Sequence, residues 1–306
     1  MKYKLSALLI GTLCLSLHVF ALGQGKSWDS YIKTADDAIA QKRYSESEQA
    51  YRDALKLTED FKNDDPRMAA TLIKLAEAVS LQSRQAEAES LATRAVEALR
   101  AALKASKPND QQQEFYQSDG AAILFDKAAT IFETGQKYDE AATLYKKVIA
   151  LREEAAQPHT SPKSNAEYIA WMVQVVTDAR LRLADAYDKL ARMYVRQQKF
   201  AEAGPLCVKA LKVVEAQYGP NETPTAMALG RLATLYAMQG KPERAEPLYS
   251  RAIRILESAN NMDLAEGALV YENYSLFLRK TGHEAEAAAM LTKARALRNK
   301  IPGTAK

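Results

Sequence analysis

Glycine and proline are scarce in this 306-residue chain, at 12 and 10 residues. Few turn formers argue against a sandwich of short strands and for long helices. Cysteine is scarcer still: Cys14 lies in an apolar N-terminal stretch, which leaves Cys207 alone beyond it. A lone cysteine forms no internal disulfide, so the fold must rest on packing, and Cys207 reads as a small buried hydrophobe. Histidine is nearly absent, with only His159 and His283 beyond the N-terminal stretch. Gly282-His283-Glu284 has Ala287 where a second zinc-binding histidine would stand, which excludes that metal pair. No glycine-rich phosphate loop occurs. The carboxylate pairs Glu153-Glu154 and Asp36-Asp37 read as solvated helix faces and not as an acid and base. No catalytic residue, cofactor site or metal site emerges, and the chain is read as a non-enzyme. The formal net charge is only +4, with Lys2 and Lys4 in the N-terminal stretch. A near-neutral body without interleaved basic and aromatic residues speaks against nucleic acid as a partner.

What is present begins with residues 1–23, MKYKLSALLIGTLCLSLHVFALG. A basic head, an apolar middle and small residues at Ala21 and Gly23 predict a secretory signal. The alternative is an uncleaved anchor, since the apolar run is nearly long enough to span a bilayer. Either way the residues from about 26 onward are expected outside the cytoplasm, in the periplasm or secreted. Membrane contact is expected only through this segment.

The remainder repeats itself. YDKLARMYVRQQKFAEAGPLCVKALKVVE (187–215), LGRLATLYAMQGKPERAEPLYSRAIRILE (229–257) and YENYSLFLRKTGHEAEAAAMLTKARALRN (271–299) align without gaps. Ala203, Ala245 and Ala287 correspond, two steps of 42 residues. Each segment carries two stretches with helical apolar spacing, joined by a turn such as Gln239-Gly240-Lys241-Pro242. The same frame recurs upstream, so the landmark falls at Ser47, Ala88, Ala141, Ala203, Ala245 and Ala287.

The wording L-A-x-x-Y, a turn, A-x-x-x-Y/F and A-L/I resembles the tetratricopeptide repeat, and the 42-residue step resembles its kinesin-light-chain form. The resemblance implies an all-α, right-handed α-solenoid of about six helix-turn-helix pairs over residues 28–306. Repeats are expected at about 28–61, 68–105, 121–156, 183–218, 225–260 and 265–300. Small residues would sit where paired helices approach, and aromatics would fill the wedge between pairs.

Two steps exceed 42 residues. The insertion at 106–120 is polar and glutamine-rich and predicts a solvated loop. The insertion at 157–183 is broken at Pro158 and Pro162, after which Asn165–Arg196 predicts one long helix. Ile169, Met172, Val173 and Val176 recur at helical spacing beside Tyr168 and Trp171, and Tyr168, Trp171 and Met172 form a candidate docking surface.

In the family the first helix of each pair lines a concave groove that grips extended peptides. By that resemblance the groove position is Lys33, Lys74, Lys127, Lys189, Arg231 and Asn273, five of six basic. The least neutralised stretch reads as Lys127, Lys189, Arg192, Arg196 and Arg231, and with Asn273 these are the candidate partner-binding residues. The expected function is an exported scaffold holding an extended, acidic segment of a protein partner. The alternative is a structural or oligomerising element, a second copy included, that docks on an envelope complex through 157–183.

Overall fold

The computed structural model describes residues 27–61, 65–105, 111–156, 166–259 and 264–301, with side chains except at 105, 111–119, 155, 166–175 and 264. The expected signal at 1–23 lies outside them. Among the described residues the chain is all-α, as expected, and no helix is long and apolar enough to cross a membrane. The helices fall into two compact units, one ending at Ser106 and the other beginning at Lys107.

The first unit holds α1 (Trp28–Ala40), α2 (Tyr44–Leu57), α3 (Arg67–Ser80) and α4 (Gln85–Ala105), paired α1 with α2 and α3 with α4. The second holds α5 (Gln111–Thr134), α6 (Tyr138–Ala155), α7 (Ala166–Arg196), α8 (Phe200–Tyr218), α9 (Thr223–Met238), α10 (Pro242–Ser258), α11 (Leu264–Lys280) and α12 (Glu284–Arg298), paired in the same order. Within it α6 packs on α7, α8 on α9, and α10 on α11, so each second helix meets the first helix of the next pair.

One turn recurs in all six pairs. Lys42, Ser83, Gln136, Gln198, Gly240 and Gly282 take left-handed φ values of 59 to 85°. The next residue in each turn donates its N–H to a carbonyl five residues back, as in Lys137 to Phe132 and His283 to Leu278. This closure satisfies helix-end carbonyls that would otherwise be orphaned. Four of the six left-handed positions are not glycine, which is why the punctuation in the sequence looks irregular. Ser47, Ala88, Ala141, Ala203, Ala245 and Ala287 are all fully buried, since a larger side chain would push the paired helices apart.

One of the two insertions differs from expectation. Residues 111–120 form the start of α5 and not a loop. From Gln111 to Asp119 the insertion contains neither glycine nor proline, so nothing stops the helix from extending backward. The long helix of the second insertion is present as α7, whose 31 residues make it about 46 Å long. Tyr168, Trp171 and Met172 lie on its backbone, but their side chains lie outside the described residues.

The first unit is tied by a charge cluster. The Glu48 carboxylate accepts from Arg52 (2.8 Å), Gln82 (2.8 Å) and Arg84 (2.7 Å), which joins α2 to the α3–α4 turn. Burial works to raise the Glu48 carboxyl, but these donors outweigh it and hold it below its ordinary value of 4.5. A carboxyl with a depressed folded value stabilises above its unfolded pKa and loses that contribution as pH falls through the folded one. Urea midpoints of this unit are therefore expected to fall below about pH 4.5, with the cluster contributing about 1–2 kcal/mol at neutral pH. Trp28, whose Nε1 donates to Thr71 at 3.0 Å, reports this unit by fluorescence in a Trp171→Phe background. Glu48→Gln should lower the midpoint at pH 7 and flatten the acid limb; an unchanged limb would remove Glu48 as its cause.

Candidate functional site: a groove across α7, α8, α9 and α11

The row read from the sequence is not an open positive ladder. Lys74 pairs with Asp36 at 2.8 Å within the first unit. In the second unit Lys189 lies 2.7 Å from Asp126 and 3.1 Å from Asp185. Arg231 lies 3.0 Å from Asp188 and 3.6 Å from Glu266. Asp126 and Asp188 each occupy the position just before the basic one in the preceding pair, so Lys189 and Arg231 staple successive first helices. This corrects the expectation that Lys189 and Arg231 are among the least neutralised residues. The second helices carry a matching row, with Lys209–Glu153 (3.4 Å), Arg251–Glu215 (2.8 Å) and Lys293–Glu257 (2.5 Å).

The first-helix row stops at Gly230. There the preceding position loses its carboxylate, and the next pair carries Asn273 where a cation would stand. A Cβ built on Gly230 would come within 2.9 Å of Val270, so the absent side chain lets α9 and α11 approach.

Beside this approach lies a cavity of about 450 Å³. Its apolar wall is formed chiefly by Ala191, Val195, Cys207, Met227, Leu235 and Val270, and half-exposed Met238 and Leu269 stand at its edge. Asp188, Arg192, Arg196, Arg231, Glu266 and Asn273 supply its charged and amide groups. Of the sequence-predicted residues, Arg192, Arg196, Arg231 and Asn273 thus share one cavity. Lys189 does not line it, and Lys127 sits half-buried on α5 away from it.

The two arginines of α7 are less engaged than the row. Arg192 has its nearest carboxylate oxygen, on Glu133, at 3.9 Å, and its side chain is 57% exposed. The Arg196 guanidinium lies over the Tyr138 ring at 5.6 Å. Burial raises the Asp188 carboxyl above its ordinary value, against the opposing charge of Arg231. Burial also pushes the Cys207 thiol up to about 12, so it remains a protonated wall residue and not a nucleophile. Among the described residues no cluster of three or more histidine, cysteine or carboxylate groups could hold a metal.

Sequence reading placed Cys207 on a core stripe and missed its part in the site. The signal lay in its register: the same position carries Tyr51, Tyr145 and Tyr249 in other pairs.

Known proteins match the repeat. The tetratricopeptide-repeat family pattern matches residues 30–101 and 182–258. Among solved structures, BtubC from P. vanneervenii is similar with a TM-score of 0.57 at 17% identity, covering 91% of this chain and 94% of that one. The nearly identical repeats of a kinesin-light-chain-type protein from Podosopora anserina give 0.54 at 15% identity, covering 74% and 93%. The apo form of RapI gives 0.58 at 12% identity, covering 94% and 79%. These likenesses are of fold alone. No curated protein matches the chain.

Proposed function

This chain is a tetratricopeptide-repeat protein, and we propose that it is an exported, non-enzymatic scaffold that seats an extended segment of a partner protein in the groove of α7, α8, α9 and α11. Tetratricopeptide repeats mediate protein–protein interaction, which sets the class. The observation that carries the specific reading is the cavity itself. It combines an apolar wall with Arg192 and Arg196, which the inter-repeat ion pairs leave largely available. Apolar anchoring supplies affinity, while the arginines favour acidic residues in the partner and speed encounter. The basic head and apolar run of residues 1–23 support export.

Arg192→Glu combined with Arg196→Glu is expected to weaken partner capture by about tenfold or more while leaving the circular dichroism unchanged. Wild-type capture should weaken as ionic strength rises. Undiminished capture by the double variant overturns the groove reading. Fractionation of cells expressing the chain with and without residues 1–23 tests export; retention of the full chain in the cytoplasm overturns that part.

A further inference from the structure

Tyr51, Tyr145 and Tyr249 occupy one register position, four residues after the landmark small residue of the second helix. All three residues are at most 3% exposed. Each hydroxyl meets the side chain fifteen residues upstream on the first helix, Asp36, Thr130 and Thr234 respectively, and that of Tyr145 also donates to Glu133 at 3.0 Å. In the α7–α8 pair the position is Cys207, and the residue fifteen upstream is Arg192. Two things change together there. The ring is missing, and the acceptor that would meet its hydroxyl has become a guanidinium, which only donates. A missing tyrosine need not leave space, since Ala92 holds this position in the first unit and is fully buried. At Cys207 the space opens into the cavity of about 450 Å³.

We propose that this cavity is a binding site for a single aromatic ring bearing an anionic hydrogen-bond acceptor, such as a carboxylate, at its far end. The ring fills from outside the slot that the repeat's own tyrosine fills elsewhere, and the acceptor meets Arg192. An apolar cavity of roughly 150 Å³ already accepts benzene, so the volume suffices for a substituted ring. Val195, Met227, Leu235 and Val270 offer flat apolar contact, and the methionine sulfur adds an aromatic contact of its own. Arg231 is engaged by Asp188 and Glu266, whereas Arg192, at the position fifteen residues before Cys207, has only a 3.9 Å contact with Glu133. The Nε of Arg231, another lining residue, is buried without a hydrogen-bond partner, which marks a second donor at the site. The ring can belong to a free aromatic acid or to a side chain of the partner segment. In the second case the inference rests on the groove reading above and names the partner's anchor.

The test is calorimetry and saturation-transfer NMR on the full mature chain with 4-methylbenzoate, 4-methylphenol, toluene and cyclohexanecarboxylate. The benzoate should bind most tightly, then the phenol, then toluene, with cyclohexanecarboxylate at least tenfold weaker than the benzoate. Cys207→Tyr should weaken all ring binding at least tenfold by restoring the internal ring; Cys207→Leu is the second variant if tyrosine does not fold there. Arg192→Gln should bring the benzoate down to the level of the phenol and leave the phenol unchanged, a pattern that general loss of structure would not produce. Tighter binding of blocked acetyl-Tyr-Glu-amide than of the benzoate assigns the ring to a partner segment, and the reverse order assigns it to a free acid. Failure of every aromatic probe to bind, or ring binding undiminished in both Cys207 variants, overturns the proposal. If that happens while the Arg192/Arg196 double variant still loses partner capture, the groove reading stands without it.

Discussion

Tyr249→Ala is expected to destabilise the second unit by about 3–5 kcal/mol, the range for deleting a fully buried aromatic side chain. Tyr249 is 1% exposed and sits where three helices meet. Its ring stacks on Tyr274 at 4.9 Å and meets Phe277 at 5.5 Å, both on α11. Its hydroxyl lies 2.9 Å from that of Thr234 on α9. Thr234 already donates to the Gly230 carbonyl at 2.8 Å, so the tyrosine supplies the proton in that contact. Burial pushes the Tyr249 hydroxyl up to about 12, which keeps that proton in place at any ordinary pH. Tyr249→Phe should therefore cost only about 1 kcal/mol, for one neutral hydrogen bond. In a stacked array each pair depends on its neighbour, so the damage should localise. Amide exchange in Tyr249→Ala should accelerate first in α11 and α12, with α5 and α6 little affected. Uniform acceleration across the unit would show that it unfolds as one cooperative body and not pair by pair.

The same tyrosine position explains why the fold was more legible than the site. Six registers could be read because each copy must bury a small residue at Ser47, Ala88, Ala141, Ala203, Ala245 or Ala287, whatever else it does. That requirement is local and repeats with the chain. The turns were harder, since Lys42, Ser83, Gln136 and Gln198 adopt a backbone conformation usually signalled by glycine. There the repeat's closing hydrogen bonds override local preference. The start of α5 is harder to read because polar composition suggests a loop, although a glutamine-rich stretch without glycine or proline extends a helix readily.

The site depends on contacts between copies, and here the sequence was ambiguous. The row of Lys127, Lys189, Arg231 and Asn273 was read along single helices, where Asp126 and Asp188 are merely adjacent. In space each of these carboxylates answers the cation of the next pair, 63 residues on for Lys189. That distance includes the second insertion, whose long helix had to be placed before the register could be known. Cys207 could have been found by comparing copies, because function shows where a repeat departs from its own rule.

Lys189→Glu supplies the sharpest separation between staple and site. The Lys189 side chain is 21% exposed and that of Asp126 17%, so the pair is largely shielded from water. Reversal would gather three carboxylates, at positions 126, 185 and 189, around a site built for one cation. Breaking a shielded pair leaves the remaining charge without compensation, and the new repulsion adds to this. A loss of about 2–4 kcal/mol is expected. Adding Asp126→Lys should restore much of it, since the pair is then rebuilt in the opposite sense; a double-mutant cycle measures the coupling. Arg192→Glu lies one helical turn away on the same face but makes only a 3.9 Å contact. It should shift stability by no more than about 0.5 kcal/mol and yet weaken partner capture. Equal loss of stability in both single variants would make Arg192 part of the staple and remove it from the groove. Divergence, with stability lost at 189 and binding lost at 192, would show that one basic face serves two purposes, and that the residues holding the repeats together are not those that hold the partner.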